Sequence, residues 1–245
     1  MNNQVAIEKM KQLKLYGMAE FHQRNLEAQQ YQDYTLDQYI ALLLEQEYDY
    51  RTNKKTYNLI KLAGFSILAN VENIIYQSDR NLNRNQFERL VNLDFIAHKE
   101  NILFTGATGT GKSYLAQALG MKACLKQFRV IHFNTSKLME KLKLARIEGT
   151  YSKFIEKIEK CDLLILDDFG LTPFESNSRQ ALMEIVEAKY DKSSIIITSQ
   201  IPVSEWHSII GESTLADAVL DRIIYSSHRI ELEGESLRKI RKLNQ

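Results

Sequence analysis

The chain has 245 residues, 44% of them hydrophobic and 26% charged. That composition belongs to a folded, soluble protein and excludes a mainly disordered one. Basic and acidic residues nearly cancel, 32 against 31 for a net charge of +1, so any polyanion-binding surface has to come from local segregation of charge.

The N-terminal stretch from Met1 to Lys14 is rich in lysine and has no apolar core of the signal-peptide kind, so no secretory leader is expected. The apolar runs at 163–166 and 195–197, like every other in the sequence, fall far short of the roughly 20 residues that cross a bilayer. Cys124 and Cys161 have no CxxC or metal spacing and sit among apolar neighbours. Two reduced, buried thiols in a cytoplasmic protein are expected.

Up to Gly64 the sequence reads as helix. Val5, Ile7, Met10, Leu13 and Leu15 recur near helical spacing, and Thr35-Leu36-Asp37-Gln38 has the form of a capping box. The box opens a second pattern of Leu36, Ile40, Leu43, Leu44, Tyr48 and Tyr50, read as a packing face, with Gly64 as the stop. Arg51, Lys54, Lys55 and Lys61 follow without an intervening acid. They read either as a solvated helix face or as a face for phosphates.

From about residue 70 short apolar runs alternate with amphipathic ones. Strands are expected at 101–105, 129–133, 163–166, 195–198 and 230–232, with helices at 113–126, 136–146, 151–159 and 178–190. Strands that are apolar throughout and separated by helices predict an α/β fold, a parallel sheet covered on both faces. The domains expected are a small all-helical one at 1–69 and an α/β one at 70–245.

Gly106-Ala107-Thr108-Gly109-Thr110-Gly111-Lys112-Ser113 fits GxxxxGK[ST] between a predicted strand and a predicted helix. Glycines let the backbone wrap a phosphate chain, and the successive N–H groups form an anion nest. The next helix adds its positive end, Lys112 a mobile charge and Ser113 a hydroxyl for Mg²⁺. Residues 106 to 114, Tyr114 included, are the candidate ATP-binding set. Leu163-Leu164-Ile165-Leu166-Asp167-Asp168 is a buried strand ending in two acids. Asp167 suits Mg²⁺ together with Ser113, and Asp168 suits orientation of the attacking water.

Ile195-Ile196-Ile197 runs into Thr198-Ser199-Gln200, and Ser199 or Gln200 is a candidate to touch the γ-phosphate. Arg222, in Leu220-Asp221-Arg222-Ile223, reads as an arginine completing a neighbour's site or as a partner of Asp217 or Asp221. Residues 136–160 carry an excess of base that reads either as a solvated helical face or as a face for DNA, with Lys137, Lys141, Lys143 and Arg146, and with Arg51, Lys54 and Lys55, as the candidates.

This order of motifs resembles the AAA+ ATPases, and within them the IstB-type helper proteins of insertion sequences. DnaC-type helicase loaders and DnaA-type initiators are next in likeness. The IstB-like features are Ala63-Gly64-Phe65, Asn101, Asp167-Asp168-Phe169-Gly170, Thr198-Ser199 with Glu205-Trp206, and Gly234-Glu235-Ser236-Leu237-Arg238. The resemblance implies ATP-dependent homo-oligomer assembly on duplex DNA, target-site selection and activation of an IstA-like transposase. It also implies a DNA-facing role for the helices between the second and third strands. Gln200 stands where such chains usually have Asn, and Asp168 where most AAA+ proteins have Glu. The stretch after Leu232 is short for a helical lid, so no full lid is expected. Arg238 is the candidate for a sensor-like arginine there, and Arg238, Lys239, Arg241 and Lys242 form a basic tail that could meet DNA. A helicase loader is the alternative function. A small-molecule P-loop kinase fits less well, because it needs a substrate lid.

Overall fold

The structure, a computed structural model, describes residues 3–29, 33–76 and 80–237. The expected sensor-like Arg238 and the basic tail lie outside the described residues. The chain forms two compact units, Met1–Asn58 and Leu59–Gln245. The division falls before the expected 69/70 boundary. The reason is packing: Leu59, Ile60 and Ala63 belong to the core of the second unit.

The first unit contains α1 (Asn3–Gln12), α2 (Tyr16–Glu27) and most of α3 (Leu36–Ala63). The capping box forms as read. Gln38 N–H donates to Thr35 Oγ1 at 3.3 Å, and Thr35 N–H to Gln38 Oε1 at 3.0 Å. Helix α2 lies close against α3: a Cβ on Gly17 would stand 2.3 Å from the Gln46 carbonyl oxygen. The buried Glu47 carboxylate accepts from Gly17 N–H at 2.7 Å and Met18 N–H at 3.2 Å. A carboxylate there satisfies two donors that a helix start leaves open and favours the positive helix end.

The Leu/Tyr stripe of α3 is only partly a packing face. Leu36, Ile40, Leu44 and Tyr48 are exposed. They recur every fourth residue on one side of the helix, whereas Leu42, Leu43 and Glu47 are on the covered side. Two candidate DNA cations are already engaged. Arg51 Nε donates to Glu47 Oε1 at 2.7 Å, and Lys54 lies over the rings of Tyr16 and Tyr50. Lys55 is exposed.

The second unit continues through α4 (Arg84–Val91), α5 (Asp94–His98), β1 (Asn101–Gly106), α6 (Lys112–Leu125), β2 (Val130–Asn134) and α7 (Thr135–Ile147). Then follow α8 (Tyr151–Glu159), β3 (Leu163–Asp167), α9 (Ser176–Lys189), β4 (Ser194–Ser199), α10 (Trp206–Ile210), α11 (Ser213–Ile224) and β5 (Ser227–Leu232). The 5-stranded sheet has the order β2-β3-β4-β1-β5, and every pairing is parallel.

Alternation along each strand divides the core in two. Leu103, Leu164, Leu166, Ile195 and Ile197 pack on one face with residues of α7 to α11. Ile102, Phe104, Leu163, Ile165 and Ile196 pack on the other with residues of α4, α5 and α6. Burying each such side chain contributes about 1.5–3 kcal/mol. Both faces are therefore closed, and polar chemistry is left to the strand ends.

The buried Asn101 pins the amino ends of the strands. Its Oδ1 accepts from Ile195 N–H at 2.9 Å, and its Nδ2 donates to the Ile223 carbonyl at 3.0 Å. Among the described residues, no helix is long and apolar enough to cross a membrane.

Candidate nucleotide site

Strand β1 ends at Gly106 and α6 begins at Lys112, so the glycine-rich segment is the turn between them. Gly106 has a φ of +131° and passes so close to β5 that a Cβ would stand 2.0 Å from the Leu232 carbonyl oxygen. No other residue fits both demands. Lys112 is folded back on its own loop, its Nζ donating to the Gly106 and Ala107 carbonyls at 2.7 Å each. Thr110 Oγ1 donates to the Ala107 carbonyl at 2.9 Å, which holds the loop closed from behind.

In front of the loop lies a cleft of about 300 Å³. Thr108, Gly109, Gly111, Lys112, Ser113 and Tyr114 line it, with Asp168 and Gln200 at the polar end. Gly106, Ala107 and Thr110 are not among its lining residues. Ile67, Ile74 and Ile75 give the lining an apolar part, as does Leu237, whose N–H donates to the Gly109 carbonyl at 3.0 Å. The shape suits a ligand with a polyphosphate at one end and a flat apolar ring at the other.

Asp167 is buried at the end of β3. Its Oδ1 accepts from the hydroxyls of Ser113, at 2.7 Å, and Thr198. His132 Nε2 stands 3.6 Å from its other oxygen, an ion-pair distance rather than a hydrogen bond. Burial alone would raise the pKa of this carboxyl. The donors around it, His132, Thr198 and Ser113, more than offset that and hold it below the ordinary range. The two aspartates thus have separate partners and do not oppose each other bare. Asp168 adopts a left-handed conformation with φ +57°. Its carboxylate accepts from Asn134 Nδ2 at 3.0 Å, and its N–H donates to Thr198 Oγ1 at 3.1 Å.

Gln200 is at the cleft and Ser199 is not. Ser199 is fully buried, donates to the Phe169 carbonyl at 2.7 Å and accepts from Ile201 N–H. Thr198 and Asn134 were missed in the sequence. The signal for Thr198 was present: residues 198 and 200 of a strand share a face and 199 takes the other. Asn134 pairs in register with Asp167, so a polar residue ending β2 falls beside the acids that end β3.

Arg222 is remote from this cleft and lies in the last turn of α11. Its backbone carbonyl accepts from Asn101 at the start of β1, whereas the glycine loop follows the end of β1. The six residues of that strand span roughly 17 Å. The guanidinium meets Glu187 at 3.4 Å, the Ala218 carbonyl at 2.9 Å and the Tyr190 ring at 5.6 Å. The carboxylate partner is Glu187, one helix away, rather than Asp217 or Asp221.

Lys137, Lys141 and Lys143 are exposed on α7. Arg146 is drawn inward, its guanidinium 3.1 Å from Tyr151 Oη, 3.5 Å from Glu184 and stacked on the Tyr151 ring. Asn134 is also the cap of α7, accepting from Lys137 N–H at 3.3 Å.

A doubly covered parallel sheet carrying the glycine loop, the acid pair and a polar β4 end defines a P-loop ATP-binding protein of the AAA+ class. The chain belongs to the IstB-like ATP binding protein family, whose model matches residues 8–245. It is 39% identical over 233 residues to a Sinorhizobium fredii (strain NBRC 101917 / NGR234) protein named as an insertion sequence ATP-binding protein, y4pL, with 95% of each chain covered. It is 31% identical over 201 residues to one so named for IS5376 in Geobacillus stearothermophilus, covering 82% of this chain and 80% of that one. Among solved structures, the DnaC helicase loader superposes with a TM-score of 0.56 at 22% identity, covering 67% of this chain and 97% of the loader. AMPPCP-bound DnaA from Aquifex aeolicus gives 0.57 at 22% identity, covering 74% of this chain and 56% of that one. These two likenesses concern the fold.

Proposed function

We propose that the protein is a Mg²⁺-dependent ATPase that assembles as a homo-oligomer on duplex DNA and assists a transposase in choosing and using a target site. The observation that carries this reading is the double engagement of Asn134. It caps α7, which exposes Lys137, Lys141 and Lys143, and it holds the Asp168 carboxylate. A helix loaded by DNA phosphates is thereby tied, through one side chain, to the acid beside the cleft.

Ser113 and Asp167 offer hard oxygen donors 2.7 Å apart beside the loop. One carboxylate plus a hydroxyl is a donor set that fits Mg²⁺, which completes its shell with phosphate oxygens and water. When bound there, the ion neutralises charge on the phosphates. Lys112 leaves the Gly106 and Ala107 carbonyls to meet the β- and γ-phosphates. Asp168 orients the attacking water and takes its proton. Gln200, at the same end of the cleft, contacts the γ-phosphate.

Arg222 cannot reach its own cleft from the amino end of the sheet, so it serves the cleft of a neighbouring subunit or none. Phosphoryl transfer spreads charge over the γ-oxygens, and a guanidinium supplied in trans answers it. Its release from Glu187 and Tyr190 accompanies assembly. The family's ties to insertion sequences favour the transposition reading over helicase loading, for which only likeness of fold speaks.

The test follows ATP hydrolysis against protein concentration and duplex DNA. Hydrolysis should rise with both, and DNA binding should weaken with salt in proportion to the phosphates neutralised. Arg222→Ala should keep ATP binding and lose the DNA-stimulated rate, by up to about 10³-fold for a fully engaged finger. Mixing Arg222→Ala with Lys112→Ala should restore part of the activity. A dead mixture of assembling subunits would remove the role in trans, and DNA binding indifferent to nucleotide would remove the assembly reading.

A further inference from the structure

Arg80 is almost wholly buried, 3% exposed, yet it lies against the nucleotide cleft. Its guanidinium makes two backbone contacts. Nη2 donates to the Thr110 carbonyl of the glycine loop at 2.8 Å. Nη1 donates to the Ile75 carbonyl at 2.5 Å, on the apolar wall.

The first contact has a directional consequence. The Thr110 carbonyl and the Gly111 N–H belong to one peptide unit, and the described residues contain no cis peptide. In a planar trans peptide the two groups point in opposite directions. A carbonyl held by Arg80 therefore fixes the direction of the N–H of Gly111, a residue that lines the cleft. A charged donor on the carbonyl also polarises the amide and strengthens its N–H as a donor. Gly111 is doubly required here. Its φ is +96°, and a Cβ would stand 2.7 Å from Arg80 Nη2.

The second contact ties that loop to the apolar part of the cleft's lining. Ile74 and Ile75 form part of the apolar wall, and the same rigid guanidinium that fixes the Thr110 peptide fixes the Ile75 carbonyl. A planar fork with several donors can hold both at once, and a lysine ammonium on a flexible stem cannot reproduce that geometry.

We propose that Arg80 is a positioning residue of the nucleotide site: bonded to both the Thr110 and the Ile75 carbonyls, it fixes the Thr110–Gly111 peptide for phosphate binding and keeps the phosphate nest in register with the apolar wall. The proposal rests on the cleft being the nucleotide site. It adds to that reading a cation that acts through the backbone.

Calorimetry with ADP and with inorganic triphosphate, on the full chain, tests it. The triphosphate has no base and reports the nest alone. Losing a hydrogen bond to a charged group costs enough to weaken binding about tenfold or more. Arg80→Met should therefore weaken both ligands about tenfold with unchanged stoichiometry. KM for ATP should rise by a similar factor while kcat stays near wild type. Arg80→Lys, which keeps the charge, should fall between the two and carries the test if Arg80→Met does not fold. Wild-type affinity for both ligands in Arg80→Lys and Arg80→Met overturns the proposal. So does a loss of binding stoichiometry, in step with a lower Tm, with the remaining sites at wild-type affinity. A wild-type protein that binds neither ligand would instead remove the nucleotide reading of the cleft, and the proposal with it.

Discussion

The two ends of the sheet both carry polar side chains and use them differently. At the amino end Asn101, Lys189 and Ser194 are buried, and each spends its polar atoms on neighbouring backbone. Lys189 Nζ donates to the Cys161 carbonyl at 2.6 Å, near the end of α8, and Ser194 Oγ to the Phe95 carbonyl at 3.0 Å. At the carboxyl end Lys112, Asp168 and Gln200 have atoms turned into a cleft large enough for a ligand. A buried polar group that is fully answered by its own chain is structure. One that borders a cleft is where chemistry is to be sought. The lysines make the contrast sharpest, because Lys112 is parked on loop carbonyls in front of open space, and Lys189 is walled in.

The largest effect that tests this contrast belongs to Lys112→Ala. It should raise the Kd for ATP by roughly a hundredfold, from about 3 kcal/mol of lost charged contact, with Tm nearly unchanged. Calorimetry beside thermal melting reads both. Lys189→Met should do the reverse. It leaves the end of α8 without its buried donor, costs about 2 kcal/mol and lowers Tm by roughly 4–8 °C, while ATP affinity holds. If Lys189→Met instead weakens ATP binding at a temperature where it is folded, the two ends are not independent.

Ser199→Ala gives the smallest effect. The hydroxyl sits at the carboxyl end but is turned inward to Phe169. Its loss should cost about 1 kcal/mol of stability and leave kcat and KM as they were. A tenfold fall in kcat in the Ser199→Ala protein would return Ser199 to the catalytic set.

Most of the second unit was legible because its signals are local. Strands apolar on both faces, a glycine loop before a helix and acids ending a strand all report on neighbours in sequence. The capping box at Thr35 is the same kind of signal, and it forms. What was hidden depended on partners far along the chain. Glu187 holds Arg222 from another helix, and nothing near Arg222 announces it. Leu36, Ile40, Leu44 and Tyr48 have helical spacing, and spacing marks a face without saying what covers it. Helices α4 and α5 went unread beneath a run of Asn, Arg and Gln, although Phe87, Leu90, Phe95 and Ile96 are their buried anchors. Ser199 was a different failure: the strand was read and its alternation was not applied.

That alternation also sets where the chain can change length. Adding or removing one residue inside β4 would exchange its two faces. Ser199 would then meet the acids, and Thr198 would turn away from Asp167 and Asp168. The same single-residue change after Gly149, a turn where a Cβ would meet nothing within 4 Å, leaves every strand in phase. Length variation among related chains should therefore collect between α7 and α8 and be absent from β4. A library of random single-codon insertions, selected for ATP binding, would trace the sheet as a set of forbidden intervals.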